Sequence, residues 1–306
     1  MIKVQKSQVH GDKLKSLLDN KKLPSQDKPH LEKAIKKYEN WIADLENTQL
    51  TGDALLKFMV DKLNEYKNFI DLEFIFDSPD DFLYRQKGQL KLDNSIIEEF
   101  LPRLFDQRLV PGFARLTNIE CGSRKSFAGL SFESPFIALS DGGAFIKTKD
   151  QDFAVTKAYK INITENPPTP DIFSVDINVS YFATEIKTNL DKTMFQEASQ
   201  TASELKKSVS GCKYIIICEW LDMTPINTKL TPIDEVIVLR KAKRIPSNIR
   251  TNFSTAQGRQ NYREFYVNLL QQYPLNIDSF QRLLFHLNEC FPDTVNEDDV
   301  LKRGYF

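Results

Sequence analysis

Apolar side chains between Lys13 and Phe76 recur at helical spacing. Leu31, Ile35, Tyr38, Ile42 and Leu45 form one stripe, and Leu55, Phe58, Met59, Leu63 and Tyr66 form another. The spacing predicts a helical N-terminal region, 1–94, closed by the turn cluster Asp77-Ser-Pro-Asp-Asp. Asp93-Asn-Ser before IIEEFLPRLF reads as a further helix start, with acids where the helix dipole favours them. The pattern then shifts to β-rich runs: FAGLSF, FIALSDGGAFIKTK, DFAVTKAYKINI and IFSVDINVSYFATEIKT. A helix from Lys192 to Val209 follows, started by Asn189 or Asp191 and stopped at Gly211. KYIIICEWL and DEVIVLR read as two buried strands, and NYREFYVNLLQQY and SFQRLLFHLNECF return to helical spacing. The chain is therefore α/β or α+β with a mixed sheet, its core spanning 95–306 with C-terminal helices.

The 306 residues carry 41 lysines and arginines against 42 acids, so any surface for a polyanion must be local. Cys121, Cys212, Cys218 and Cys290 form no CxxC pair and read as reduced core residues. Three histidines in unrelated contexts disfavour zinc hydrolase chemistry and serine triads, which need imidazole. The N-terminus is charged from Lys3 with no apolar leader, and no apolar run of about 18 residues exists. These features predict a soluble cytoplasmic protein whose chemistry rests on carboxylates, lysine and a hard metal.

An acid-x-lysine triplet occurs at Asp19-Lys21, Glu65-Lys67, Glu185-Lys187 and Glu204-Lys206. Three of these fall on helical segments, where they read as solvated faces. Only Glu185-Lys187 ends a β-run, and alternation there projects both side chains from one face. Mg²⁺ takes few protein ligands, so a second carboxylate nearby would complete a site for phosphodiester hydrolysis. Asp152, Asp171 and Asp176 precede it, and Pro170-Asp171 is the obvious choice by motif. In an antiparallel pair, however, the midpoint of two opposed residues should fall in the turn. For Asp152 and Glu185 it falls between residues 168 and 169, in ENPPTPD; for Asp171 and Glu185 it falls at Asn178, inside VDINVS. Asp152 is preferred, with Asp150, on the same strand face, and Asp171 as alternatives. Asp152, Glu185 and the Ile186 carbonyl would hold Mg²⁺, and Lys187 would position water and offset transition-state charge. Glu98 and Glu99 read as exposed helix-face acids, with an outer metal contact as the alternative. A plain surface hairpin with a cross-strand ion pair is the competing reading of the whole set.

The run EIKTNLDKTMFQEA, with KDQDFAV upstream and CEWLDMTPI and DEVIVLRKAKR downstream, resembles the BbvCI and Bpu-ten-I family of type II restriction endonucleases. The resemblance covers roughly residues 95 to 245 and implies a PD-(D/E)xK nuclease fold in which two different subunits cut one double-stranded DNA site. It implies Asp152 and Glu185 as metal ligands, Lys187 as catalytic lysine and Gln196 as a supporting residue; Asp152 follows glutamine where the family motif has proline. The expected products are a 5′-phosphate and a 3′-hydroxyl. A repair nuclease on the same core, or an idle DNA-binding subunit, are the other functions this fold would allow. Candidate DNA contacts are Arg240, Lys241, Lys243, Arg244, Arg250 and Arg259, with Arg115, Arg124 and Lys125 as a second patch.

Overall fold

The β-branched and aromatic runs assemble into one mixed sheet of six strands in sequential order. They are β1 (Lys3–Val4), β2 (Ile119–Glu133), β3 (Gly143–Ile163), β4 (Phe173–Leu190), β5 (Lys213–Leu221) and β6 (Glu235–Val238). This computed structural model describes residues 3–4, 8–134, 143–166, 173–293, 298 and 301–302. Asp171 and most of ENPPTPD lie outside the described residues. β2, β3 and β4 are antiparallel, whereas β4, β5 and β6 are parallel. Phe153 faces Thr184, the register that the midpoint of Asp152 and Glu185 requires, whereas nearer the turn Ile163 faces Phe173, one residue out of that register, because a β-bulge between Val155 and Thr156 shifts the pairing.

The parallel crossover from β4 to β5 is α6 (Lys192–Ser208). Asp191 caps it, its side chain accepting the Met194 N–H, and Gly211 takes the left-handed conformation just past its end (φ +79°). Phe195, Ala198, Ala202 and Leu205 form its buried stripe. They pack with Ala183, Leu190, Tyr214, Ile216 and Cys218 on one face of the sheet. β5 is buried on both faces, as its continuous apolar run demands.

The other face is covered by α1 (Val9–Leu18), α2 (Lys28–Asn47), α3 (Gly52–Asn68), α4 (Phe82–Gln89), α5 (Leu92–Phe100) and α10 (Ile277–Cys290). Between α6 and α10 the chain adds α7 (Ser247–Arg250), α8 (Ala256–Asn261) and α9 (Arg263–Gln272). One continuous apolar cluster runs from Leu14 in α1 through Phe182 and Ile186 in β4 to Leu287 in α10. α2 buries Leu31, Ala34, Tyr38, Trp41 and Leu45, leaving the expected Ile35 and Ile42 at the edge of the face.

α3 continues into a π-helical stretch, Phe69–Phe76. Here the expectation that Glu65-Lys67 is a solvated face fails at Lys67, which is 1% exposed and pairs with Asp71 at 2.6 Å and Glu219 at 3.1 Å. All four cysteines are free thiols. No helix among the described residues is long and apolar enough to cross a membrane.

Candidate active site

Pleating puts Asp152, Glu185 and Lys187 on the α6 side of the sheet, because Phe153, Phe182 and Ile186 point into the opposite cluster. Asp152 sits one residue before the Phe153–Thr184 pair, where the paired register of β3 and β4 ends. Its Oδ2 accepts the Ile186 N–H at 2.7 Å, which fixes the carboxylate against β4. Glu185 Oε1 pairs with Lys187 Nζ at 2.5 Å, and its Oε2 accepts the Tyr214 hydroxyl at 3.5 Å. Asp152, Ile186 and Lys187 line a cavity of about 630 Å³; Glu185 stands behind them and reaches it through Lys187.

Burial raises the Asp152 carboxyl to about 6, and the adjacent charge of Glu185 adds to the rise. Burial disfavours the Lys187 ammonium, but Glu185 outweighs it and leaves the amine more basic than usual. Paired with Glu185 in this way, the Lys187 ammonium is suited to hydrogen-bond donation and charge stabilisation. Two adjacent carboxylates with a single lysine leave a pocket of hard oxygen donors that a divalent cation would neutralise. Asp152, Glu185 and the Ile186 carbonyl fit Mg²⁺, which keeps waters in its remaining positions. No group of three or more His, Cys, Asp or Glu side chains is placed to hold a metal among the described residues. The carbonyl would have to complete the protein's share.

Of the alternatives, Asp150 is exposed on β3 opposite Lys125, and Asp176 pairs with Lys160 at the far end of β4. Gln196 is exposed on α6, whereas the neighbouring Glu197 lies close enough to act on the Lys187 charge. Glu98 lines the same cavity and its charge reaches Asp152. Asn94 donates to Glu98 at 2.5 Å and to the Ile186 carbonyl at 3.4 Å, so α5 buttresses the oxygen expected to meet the metal. Nothing in the sequence marks Asn94 beyond its place in a helix start. Glu99 corrects the expectation of an exposed helix-face acid. It is 1% exposed and accepts the His10 N–H and the Tyr38 hydroxyl, which makes it structural.

Two of the expected DNA contacts are also corrected. Arg240 is 1% exposed, donates to Glu219 at 2.7 Å and to the Tyr273 carbonyl at 2.7 Å, and is interior. Arg259 is equally buried and donates to the carbonyls of Phe76, Phe253 and Asp80, tying α8 to the 77–81 turn. Guanidinium is the charge most readily satisfied indoors, because its planar fork can meet several acceptors at once. Lys241, Lys243 and Lys125 are exposed, Lys241 beside Asp278 at 2.6 Å. Arg124 pairs with Glu120 at 2.9 Å and Arg115 with Asp293 at 3.9 Å. Arg244 and Arg250 line the cavity that holds Asp152 and Lys187.

A family model described as Bpu10I restriction endonuclease matches residues 89–306, well over half of the chain. Among solved structures, one described as the native BbvCI A2B2 tetramer at low resolution is similar, with a TM-score of 0.55 and 22% identity. That similarity covers 80% of this chain and 87% of that one, and it shows a shared fold. No curated protein matches.

Proposed function

The chain belongs to the Bpu10I restriction endonuclease family of site-specific deoxyribonucleases, and we propose that it hydrolyses one strand of a specific DNA duplex with Mg²⁺, Asp152, Glu185 and Lys187. The observation that carries this reading is the Asp152 carboxylate held by the Ile186 N–H between Glu185 and Lys187, with Lys187 paired to Glu185 and lining the same cavity as Asp152. Mg²⁺, when bound, polarises the scissile phosphate and makes a bound water more acidic. The chain's own residues do the rest. Asp152 and Glu185 supply the negative charge that selects a divalent cation, with the Ile186 carbonyl as a neutral third donor. Lys187 remains protonated and faces the phosphate, where its ammonium offsets charge on the pentacovalent phosphorus. Asn94 and the Ile186 N–H hold the carbonyl and the Asp152 carboxylate in place. Hydrolysis leaves a 5′-phosphate and a 3′-hydroxyl. The exposed Lys241, Lys243 and Lys125, with Arg124, supply backbone contacts that set affinity without reading sequence.

The similar solved protein is an A2B2 tetramer. By analogy this chain works with a second, related subunit that cuts the complementary strand, and its place of action is the cytoplasm where the DNA is. The test is cleavage of supercoiled plasmid by the chain with and without that subunit, in Mg²⁺ and in EDTA, beside Lys187→Ala. The pair should linearise the plasmid at a fixed site in Mg²⁺ alone. With Lys187→Ala it should only nick, on the strand left to the partner. Undiminished double-strand cleavage by the variant would overturn the assignment.

A further inference from the structure

The cavity over Asp152 and Lys187 has a wall opposite the catalytic strand, made by the segment after β6. From it Arg244 and Arg250 face the same space as the two catalytic residues. Arg250 is anchored at one point, its Nε donating to the Ile245 carbonyl at 2.8 Å. That bond fixes the fork's orientation and leaves its two terminal nitrogens without a protein partner among the described residues. Arg244 gives one terminal nitrogen to Asp222 at 2.7 Å, and the rest of its fork has no partner among the described residues. Both guanidiniums are half-buried, and Asp222, paired with Arg244, is the carboxylate whose charge reaches Arg250.

Bringing two cations together in a partly desolvated wall is costly unless an anion joins them. Burial and then the charge of Arg244 lower the affinity of Arg250 for its proton, which registers the same repulsion. Guanidinium forks match the paired oxygens of a phosphodiester, and apolar neighbours in the wall, Ile245 and Phe253, reduce screening by water.

We propose that Arg244 and Arg250 form a clamp for a DNA phosphodiester adjoining the scissile one, fixing the register of the strand over Asp152 and Lys187. This rests on the nuclease reading above and adds to it the residues that position the backbone. The clamp acts through charge and geometry on a neighbouring phosphate, and does not itself touch the reacting bond.

The experiment uses the chain assembled with its partner subunit and a short duplex carrying the mapped cleavage site, with binding measured in Ca²⁺ and cleavage in Mg²⁺. Single phosphates flanking the scissile bond are replaced by uncharged methylphosphonates. In the wild-type assembly one flanking replacement should weaken binding about tenfold, and in Arg250→Ala or Arg244→Ala that same replacement should cost nothing. Each alanine variant should also lower the salt slope of binding by about 1, the signature of one lost phosphate contact. Arg250→Lys keeps the charge and should keep most of that slope, which separates a contact from a folding defect. A methylphosphonate penalty that persists undiminished in both alanine variants overturns the clamp while leaving the nuclease assignment intact. A wild-type assembly that neither binds nor cuts the unmodified duplex overturns both.

Discussion

Arg240 shows how a basic residue in a basic run can have nothing to do with nucleic acid. In RKAKR it looks like one of four equivalent charges, yet its guanidinium lies between Glu219 and Asp71, with Lys67 completing a balanced buried quartet. Burial opposes ionisation of Glu219, but Lys67 and Arg240 overcome it and hold the carboxyl down to about 2. Removing one member of such a set leaves uncompensated charge indoors, at a cost of about 3–5 kcal/mol. Arg240→Ala should therefore lower the urea midpoint strongly, with DNA affinity per folded molecule unchanged. The sign of the pH dependence follows from the depressed carboxyl. The quartet's stabilisation is complete above the unfolded value of 4.5 and is lost as pH falls toward about 2. Urea titrations of wild type and variant across that window should converge as pH falls. A variant as stable as wild type, but deficient in DNA binding, would return Arg240 to the DNA surface.

Elements whose signals are local were legible in the sequence. α6 announces itself by a capping aspartate, a buried stripe and a closing glycine, and β5 by an unbroken apolar run. The β3–β4 pairing was legible to within one residue, since a turn fixes the sum of paired residue numbers until a β-bulge, here between Val155 and Thr156, shifts it. Asp171 lies outside the described residues, and the preference for Asp152 rests on its carboxylate meeting the Ile186 N–H. The remainder depended on distant neighbours. Trp41 and Ala34 displace Ile42 and Ile35 on the α2 face because of what α1 and α3 present to it, and Asn94 matters only because α5 lies over Ile186. The interior positions of Lys67, Glu99, Arg240 and Arg259 depend on partners up to 183 residues away, as for Arg259 and Phe76. The cap offers a check at this scale. Asp191→Ala removes the acceptor for Met194 N–H and should cost about 1 kcal/mol, near the middle of the range for such caps. In a chain of this size that is a fall of about 2 °C in Tm by calorimetry. Because the cap lies outside the proposed trio of Asp152, Glu185 and Lys187, the site-specific cleavage pattern should survive.

At the scale of the molecule the helices before residue 89 are structural partners of the nuclease sheet. The family match begins at residue 89, which invites the view that everything earlier is an appendage. Packing argues otherwise. Leu55, Leu63 and Ile70 share one apolar cluster with Phe100, Ile186, Ile217 and Leu287, and the buried quartet draws Lys67 and Asp71 from before that boundary and Glu219 and Arg240 from after it. His10, 0% exposed beneath Tyr66 and Ser95, and the Glu99 carboxylate that accepts its N–H, form a second polar link across the same boundary. A chain starting at residue 89 would expose a contiguous apolar face and leave Glu219 and Glu99 short of their partners, a combination of lost burial and stranded charge. Such a truncation should be insoluble, or collapse to a dye-binding state without fixed tertiary packing. In the intact chain, hydrogen exchange should protect α3 and β5 to the same free energy, because opening either one opens the shared core. Early exchange of α1 to α4 as a separate unit, with β4 and β5 still protected, would make them a dispensable module instead.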